Sequence, residues 1–294
     1  MNYYENIKEE LISNEVYKKV KDYSKNRSDL KTYYNVGKIL SEAGKHYGEG
    51  IIKECSKKLT NELGKGYSSK NLFKIRKFYL VSGKISTMSR QLTWSHYSEL
   101  LSINDINKIN YYIKIAEEQN LSVRELRNKI KNNEYERLDN STKEKLKKEE
   151  KLQVQDLVKN PIIIKIDKEI IKEKALQQLI LEDMENFLVE LGNGFSFIKS
   201  EYKIKIGNNY SYIDLLLFNY MYNCFIVIEL KVTELKKEHI GQIETYMNYI
   251  DKNLKTINQD KTIGIIITKK DNKFIMEYCS DKRILNTTYE LQGI

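Results

Sequence analysis

The chain has 294 residues, 40% of them hydrophobic and 31% charged, and its lysines and arginines outnumber its acids to give a net charge of +9. That length holds two domains, or one large one, with a proper core, and no stretch approaches the ~18 consecutive apolar residues that a membrane span needs. The 3 histidines and 3 cysteines are widely scattered, which argues against a disulfide framework, a structural zinc site, a Ser-His-Asp triad or a His-rich metal nuclease. The opening "MNYYENIKEE" is charged from its start, so no signal peptide is expected and the cytoplasm is the expected compartment.

The excess positive charge is confined to one half. Residues 1–150 carry 30 basic against 21 acidic side chains, whereas residues 151–294 carry 20 of each. A polyanionic partner for the first half follows from that asymmetry.

In chain order, the first 130 residues have helical period. "NIKEELISNEVYKKVKDYS", "DLKTYYNVGKILSEAGK" and "IIKECSKKLTNEL" place apolar residues three and four apart, and Gly64 and Gly66 end the third. "GYSSKNLFKIRKFYLV" follows, with Leu72, Ile75, Phe78 and Tyr79 as an inner stripe and Lys70, Lys74, Arg76 and Lys77 on the other face. A helix, a Gly-containing turn and a second, basic helix is the arrangement a helix-turn-helix DNA reader needs, and these four side chains are the candidate nucleic-acid contacts. The segment from Lys129 to Glu150 is rich in charge and Asn and predicts a solvated connector, helical or partly flexible, with a domain boundary near residue 150.

The second half changes character. "KEKALQQLILEDMENFLVELGNG" predicts one amphipathic helix ended by Gly192 and Gly194. The runs "FSFIKSEYKIKIG", "YSYIDLLLF" and "CFIVIELKV" predict strands, "KKEHIGQIETYMNYI" a helix, and "TIGIIIT" a buried strand. The expected architecture is α+β in two domains, helical over 1–150 and an α/β core with a mixed sheet over 151–294.

Three charged residues interrupt the greasy strands. With the hairpin turn at Tyr220-Met221, Asp214 is expected about opposite Val227 and diagonal to Glu229, while Glu229 and Lys231, two apart, share its face. Two buried carboxylates repel, and a divalent cation between them relieves the conflict; carboxylate oxygens completed by water and substrate phosphate are the usual Mg²⁺ environment. A structural ion pair at a strand end is the simpler explanation of Glu-x-Lys taken alone.

Asp214 followed by Glu229-Leu230-Lys231 resembles the D-x(n)-(D/E)-x-K signature of the PD-(D/E)XK nucleases, the restriction-endonuclease-like superfamily. "GQIETYMNYID" resembles the Q-x-x-x-Y helix of one branch, with Gln242 and Tyr246. More closely, "YYNVGKIL", "GYSSKNLFKIRKFY", "LTWSHYSELL", "ENFLVELGNGFSFI", "YIDLLLF" and "CFIVIELKVTELKKEHIGQIETYMNYID" together resemble the bacterial YhcG-type family. The superfamily's Pro-Asp start is not kept, because Ile213 precedes Asp214. The resemblance implies a helical, winged-helix-like N-terminal domain and a C-terminal restriction-endonuclease-like nuclease domain. It implies that Asp214, Glu229 and the Leu230 carbonyl hold Mg²⁺ or Mn²⁺ and that Lys231 serves the water and the phosphate. Gln242 would bond within the site, and Tyr246 would approach DNA or buttress its helix. A further carboxylate from the first core helix is implied, for which Glu182, Glu185 and Glu190 are candidates, with Glu185 preferred. The implied activity is a metal-dependent endonuclease acting on duplex or branched DNA, with a restriction-defence or mobile-element context and a restriction-system partner. A homodimer would explain how one site per chain cuts two strands. The alternative is a non-catalytic nucleic-acid-binding or assembly protein built on a nuclease-like scaffold.

Overall fold

The computed structural model describes residues 2–20, 25–48, 50–85, 89, 91–166 and 172–293, and the chain divides into two compact units, Met1–Tyr135 and Glu136–Ile294. The division lies upstream of the expected boundary near 150. Residues 136–150 form part of the second unit, and since that segment carries five charges of each sign, the first unit keeps the whole +9.

The first unit is built from α1 (Tyr3–Val20), α2 (Lys25–Tyr47), α3 (Gly50–Leu63), α4 (Ser69–Ser82), α5 (Trp94–Leu100), α6 (Ile106–Glu118) and α7 (Val123–Lys131). The first predicted helix runs on through residues 21–24, which lie outside the described set. Apolar side chains at helical spacing form one core: Ile7 and Leu11 of α1, Val36 and Leu40 of α2, Ile52 and Leu59 of α3, Leu72 and Ile75 of α4. Gly37 lets α2 and α4 touch, because a Cβ there would lie 2.5 Å from the Ile75 carbonyl oxygen. Among the described residues this unit has no strand, so the wing of the expected winged helix is not seen.

The second unit contains α8 (Asn140–Lys147), α9 (Val154–Leu157), β1 (Ile162–Lys165), α10 (Glu173–Glu182), α11 (Met184–Leu191), β2 (Phe195–Ile206), β3 (Asn209–Asn219), β4 (Cys224–Glu234), α12 (Lys237–Asn253), β5 (Asp260–Lys270), α13 (Lys273–Glu277) and β6 (Ile284–Gln292). Its sheet has the order β1-β6-β5-β4-β3-β2, with β1, β6, β5 and β4 parallel and β3 and β2 antiparallel. This is the mixed sheet expected, widened by β1 and β6. β4 is buried from Cys224 to Lys231, as its near-continuous apolar run requires of a strand covered on both faces. On one face, Leu176 and Ile180 of α10 pack on Leu215, Ile226, Ile228 and Ile265. On the other, Ile243 and Met247 of α12 pack on Val227 and Ile266. Gly264 of β5 admits α12 at close range, since a Cβ there would lie 2.5 Å from the Met247 sulfur.

Two sequence expectations change here. The segment expected as one helix from Lys172 to Leu191 breaks at Asp183, whose φ of −126° and ψ of 45° separate α10 from α11. The turn between β3 and β4 takes four residues, Tyr220–Asn223, so Leu215 pairs with Ile228 and Leu216 with Val227. Val227 is therefore not the neighbour of Asp214. Among the described residues no helix is long and apolar enough to cross a membrane.

Candidate active site

The ladder between β3 and β4 stops at the Leu215–Ile228 pair. The next position on each strand is Asp214 and Glu229, which the register places side by side rather than diagonally. The strands separate there, and the Asp214 side chain takes over from the ladder: Leu230 donates its backbone N–H to Asp214 Oδ2 at 2.8 Å. Amide and carbonyl of one strand residue point the same way. The Leu230 carbonyl therefore opens into the same split, beside the Asp214 carboxylate.

Glu229 is 2% exposed and Lys231 9%, both on the α12 side of β4. Lys231 Nζ lies 2.8 Å from Glu229 Oε1, and Gln242 of α12 donates its Nε2–H to the same oxygen at 2.8 Å. Gln242 Nε2 also lies 3.0 Å from the Tyr246 hydroxyl, which accepts from it one helical turn further on. Tyr246 is itself buried among Ile243, Met247 and Ile250, so it buttresses Gln242 and has little surface to offer DNA. The second oxygen, Glu229 Oε2, is buried without a hydrogen-bond partner among the described residues.

Burial pushes the Glu229 carboxyl up to about 7, and the adjacent Asp214 charge pushes the same way against Lys231. Burial also raises Asp214, opposed by the Leu230 amide and by Lys231. For Lys231, burial acts downward, but the surrounding carboxylates outweigh it and hold the ammonium above its ordinary value. A charged lysine thus faces carboxylates that are costly to ionise together.

The first core helix contributes a carboxylate other than those expected. Glu173, at the start of α10, lies 3.5 Å from Lys231 Nζ, and Gln177 one turn later donates to the Asp214 backbone carbonyl at 2.9 Å. Glu185 is not brought to the cluster; it is exposed on α11, beyond the break at Asp183. Glu182 accepts from Gln178 at the surface, and Glu190 is engaged by Arg137 and by the Ile163 amide. Glu173 and Gln177 lie four apart at the start of the segment, and that spacing was the available signal for them.

The basic helix α4 also differs from its expectation. Lys70 is exposed, but Lys74 donates to Ser98 Oγ at 2.8 Å, and Lys77 to Asn104 Oδ1 at 3.0 Å and to the Ile103 carbonyl. The Arg76 guanidinium lies over Gly44, where a Cβ would approach it to 3.3 Å. Three of the four side chains are thus half-buried and fasten α4 to its neighbours, because long cationic stems pack well along apolar surface.

Among the described residues no three His, Cys, Asp or Glu side chains gather into a metal-binding group. The fit to a metal therefore rests on two carboxylates and a carbonyl, the hard oxygen donors a Mg²⁺ ion uses with water completing its shell. The orphaned Glu229 Oε2 fits such an ion, since a buried carboxylate oxygen without a donor is otherwise costly.

Comparison with known proteins finds a match in each unit. Residues 155–292 match the model of the YhcG PDDEXK nuclease domain, and residues 9–137 match that of the DUF1016 N-terminal domain. The chain belongs to the YhcG-type family. The protein described as "Putative nuclease YhcG" from Escherichia coli (strain K12) is 25% identical over 309 aligned positions, covering 90% of this chain and 80% of that protein. Two solved structures give weaker likenesses. A repair endonuclease from Pyrococcus abyssi is 16% identical, with a TM-score of 0.29 over 42% of this chain and 49% of the other. An EndoMS–dsDNA complex is 20% identical, with a TM-score of 0.28 over 44% and 48%. Each likeness thus spans about half of the solved chain. Within the YhcG-type family, this chain's second unit is the nuclease domain and its first unit the DUF1016 domain.

Proposed function

We propose that this YhcG-type chain is a divalent-metal-dependent DNA endonuclease. The observation that carries the reading is the split between β3 and β4, where Asp214, Glu229 and Lys231 converge and one buried carboxylate oxygen lacks a donor among the described residues. Asp214, Glu229 and the Leu230 carbonyl would hold Mg²⁺ or Mn²⁺. When bound, such an ion supplies Lewis-acid stabilisation of the charge that develops on the phosphate and the leaving oxygen. Lys231, kept protonated by its carboxylate neighbours, orients the attacking water and offsets charge on the scissile phosphate. Gln242 occupies Glu229 Oε1 and so fixes which oxygen faces the ligand, while Tyr246 fixes Gln242. Glu173 holds Lys231 from the α10 side. The net +9 of the first unit suits the binding of DNA phosphates.

The test is incubation with supercoiled, linear and branched DNA, with and without Mg²⁺ or Mn²⁺, beside the Lys231→Ala variant. Metal-dependent cleavage by the wild type, reduced by about 10²-fold or more in the variant, is expected for a lost charge-stabilising group. Undiminished cleavage by the variant, or DNA binding with no cleavage on any substrate, would overturn the reading; the latter favours a nuclease-like scaffold.

A further inference from the structure

β2 and β3 continue together beyond the point where β4 leaves them. From Tyr202–Ile213 to Ile206–Asn209 they pair, among the described residues, only with each other, closed by Gly207 (φ 60°) and Asn208. Asn209 lies five positions before Asp214 along β3, so the ribbon reaches about 17 Å past the carboxylate site. It turns at Glu201, which lies in the left-handed region at φ 47°. Beyond that bend one face packs on the α12-side core through Tyr202, Ile204 and Ile213. The other face is exposed and chemically uniform: Lys203 pairs across the strands with Tyr212, and Lys205 with Tyr210. Tyr210 and Tyr212 are 55% and 52% exposed, and Lys203 Nζ sits 3.8 Å from the Tyr210 ring centroid. Between Lys199 and Ile213 the only acid is Glu201.

Large aromatic rings set outward on a ribbon need a reason, and alternation with lysine supplies one. A base stacks on an aromatic ring while the adjacent ammonium takes its phosphate, the arrangement that binds unpaired strands without sequence preference. A paired duplex keeps its bases stacked on each other and would leave both rings unused. We propose that the outer face of this ribbon binds an unpaired DNA strand and leads it to the Asp214–Glu229 site, so that the substrate class is DNA with a single-stranded segment beside the cleavage position. This rests on the nuclease reading for the identity of the ligand, but its test does not depend on cleavage.

Binding of fluorescein-labelled oligothymidylate and of a labelled duplex is measured by anisotropy in EDTA. The wild type is compared with Tyr210→Ala plus Tyr212→Ala and with Tyr210→Phe plus Tyr212→Phe. The alanine pair is expected to weaken the single strand at least tenfold while leaving the duplex within twofold, and the phenylalanine pair to restore single-strand binding. Unchanged single-strand affinity in the alanine pair, an equal fall for the duplex, or no single-strand binding by the wild type would each overturn the proposal. Circular dichroism of each variant confirms that the ribbon's outer positions can be changed without unfolding. A protein that cleaves nothing yet shows the expected binding pattern would refute the nuclease reading alone.

Discussion

Replacing Glu229 with glutamine should make the metal-free protein more stable, and by an amount that depends on pH. Burial and the Asp214 charge raise the Glu229 carboxyl from 4.5 to about 7. The folded chain therefore holds this proton more tightly than the unfolded chain. Its contribution to stability is intact below pH 4.5 and is lost as pH rises through 7. The span between those values corresponds to about 3 kcal/mol once both states are ionised, and to about 1 kcal/mol near pH 5. Glutamine keeps the size, and its amide oxygen still accepts from Lys231 and Gln242, so the variant approximates a permanently neutral Glu229. Urea unfolding in EDTA, followed by circular dichroism near pH 5 and near pH 8.5, measures the difference. Trp94, the chain's only tryptophan, lies in the first unit, so its fluorescence separates that unit's transition from the one of interest. Adding Mg²⁺ at the higher pH should stabilise the wild type and not the variant. A gain of equal size at both pH values, or a loss at the higher one, would refute the account of Glu229 as a buried carboxylate whose charge Lys231 compensates only in part.

Glu173→Gln should lower metal-dependent cleavage about tenfold, while Glu185→Gln leaves it unchanged; a rate comparison at saturating metal checks both, and the reverse order would restore α11 to the site. Gly37→Ala should destabilise the first unit by about 1–3 kcal/mol, because the added carbon meets a backbone carbonyl and the Tyr79 Cβ at 2.8 Å, neither of which can move aside freely. Trp94 fluorescence during denaturation reads that change, and an unshifted midpoint would mean that the two helices sit further apart. Lys74→Ala plus Lys77→Ala should change the salt dependence of DNA binding by less than the ~2 released ions expected of two phosphate contacts, because both ammonium groups already have partners within the unit. A slope reduced by the full amount would place this helix on DNA.

The strands and α12 were legible because their periods are clean and their charges conspicuous: Asp214, Glu229, Lys231 and Gln242 stand out against apolar runs. What the sequence hid was geometry that depends on a single backbone position. The β3–β4 register rested on the length of the turn, and two extra turn residues move Asp214 from the diagonal to the position beside Glu229. The helical phase of Glu182, Glu185 and Glu190 singles none of them out, and the break at Asp183 puts Glu185 and Glu190 on a helix separate from Glu173 and Gln177. β1 and β6 were missed for different reasons. Ile162–Lys165 is too short to show a period, and Ile284–Gln292 carries polar residues among its apolar ones. The basic stripe of α4 is visible in the sequence, but composition cannot reveal that Ser98 of α5 and Asn104 in the loop after it already take two of its lysines.

The hydrogen bond from Leu230 to Asp214 determines how an inactive form of this protein should be made. Asp214→Ala would delete a charge and at the same time release an amide in the middle of the sheet, so lost activity and a frayed strand pair would look alike. Asp214→Asn keeps an oxygen for that amide and removes only the negative charge. The asparagine variant is therefore the proper carrier for trapping a bound substrate. A homologue with Asn here could retain the whole architecture without the chemistry, whereas one with Ala would have to close the split by other means.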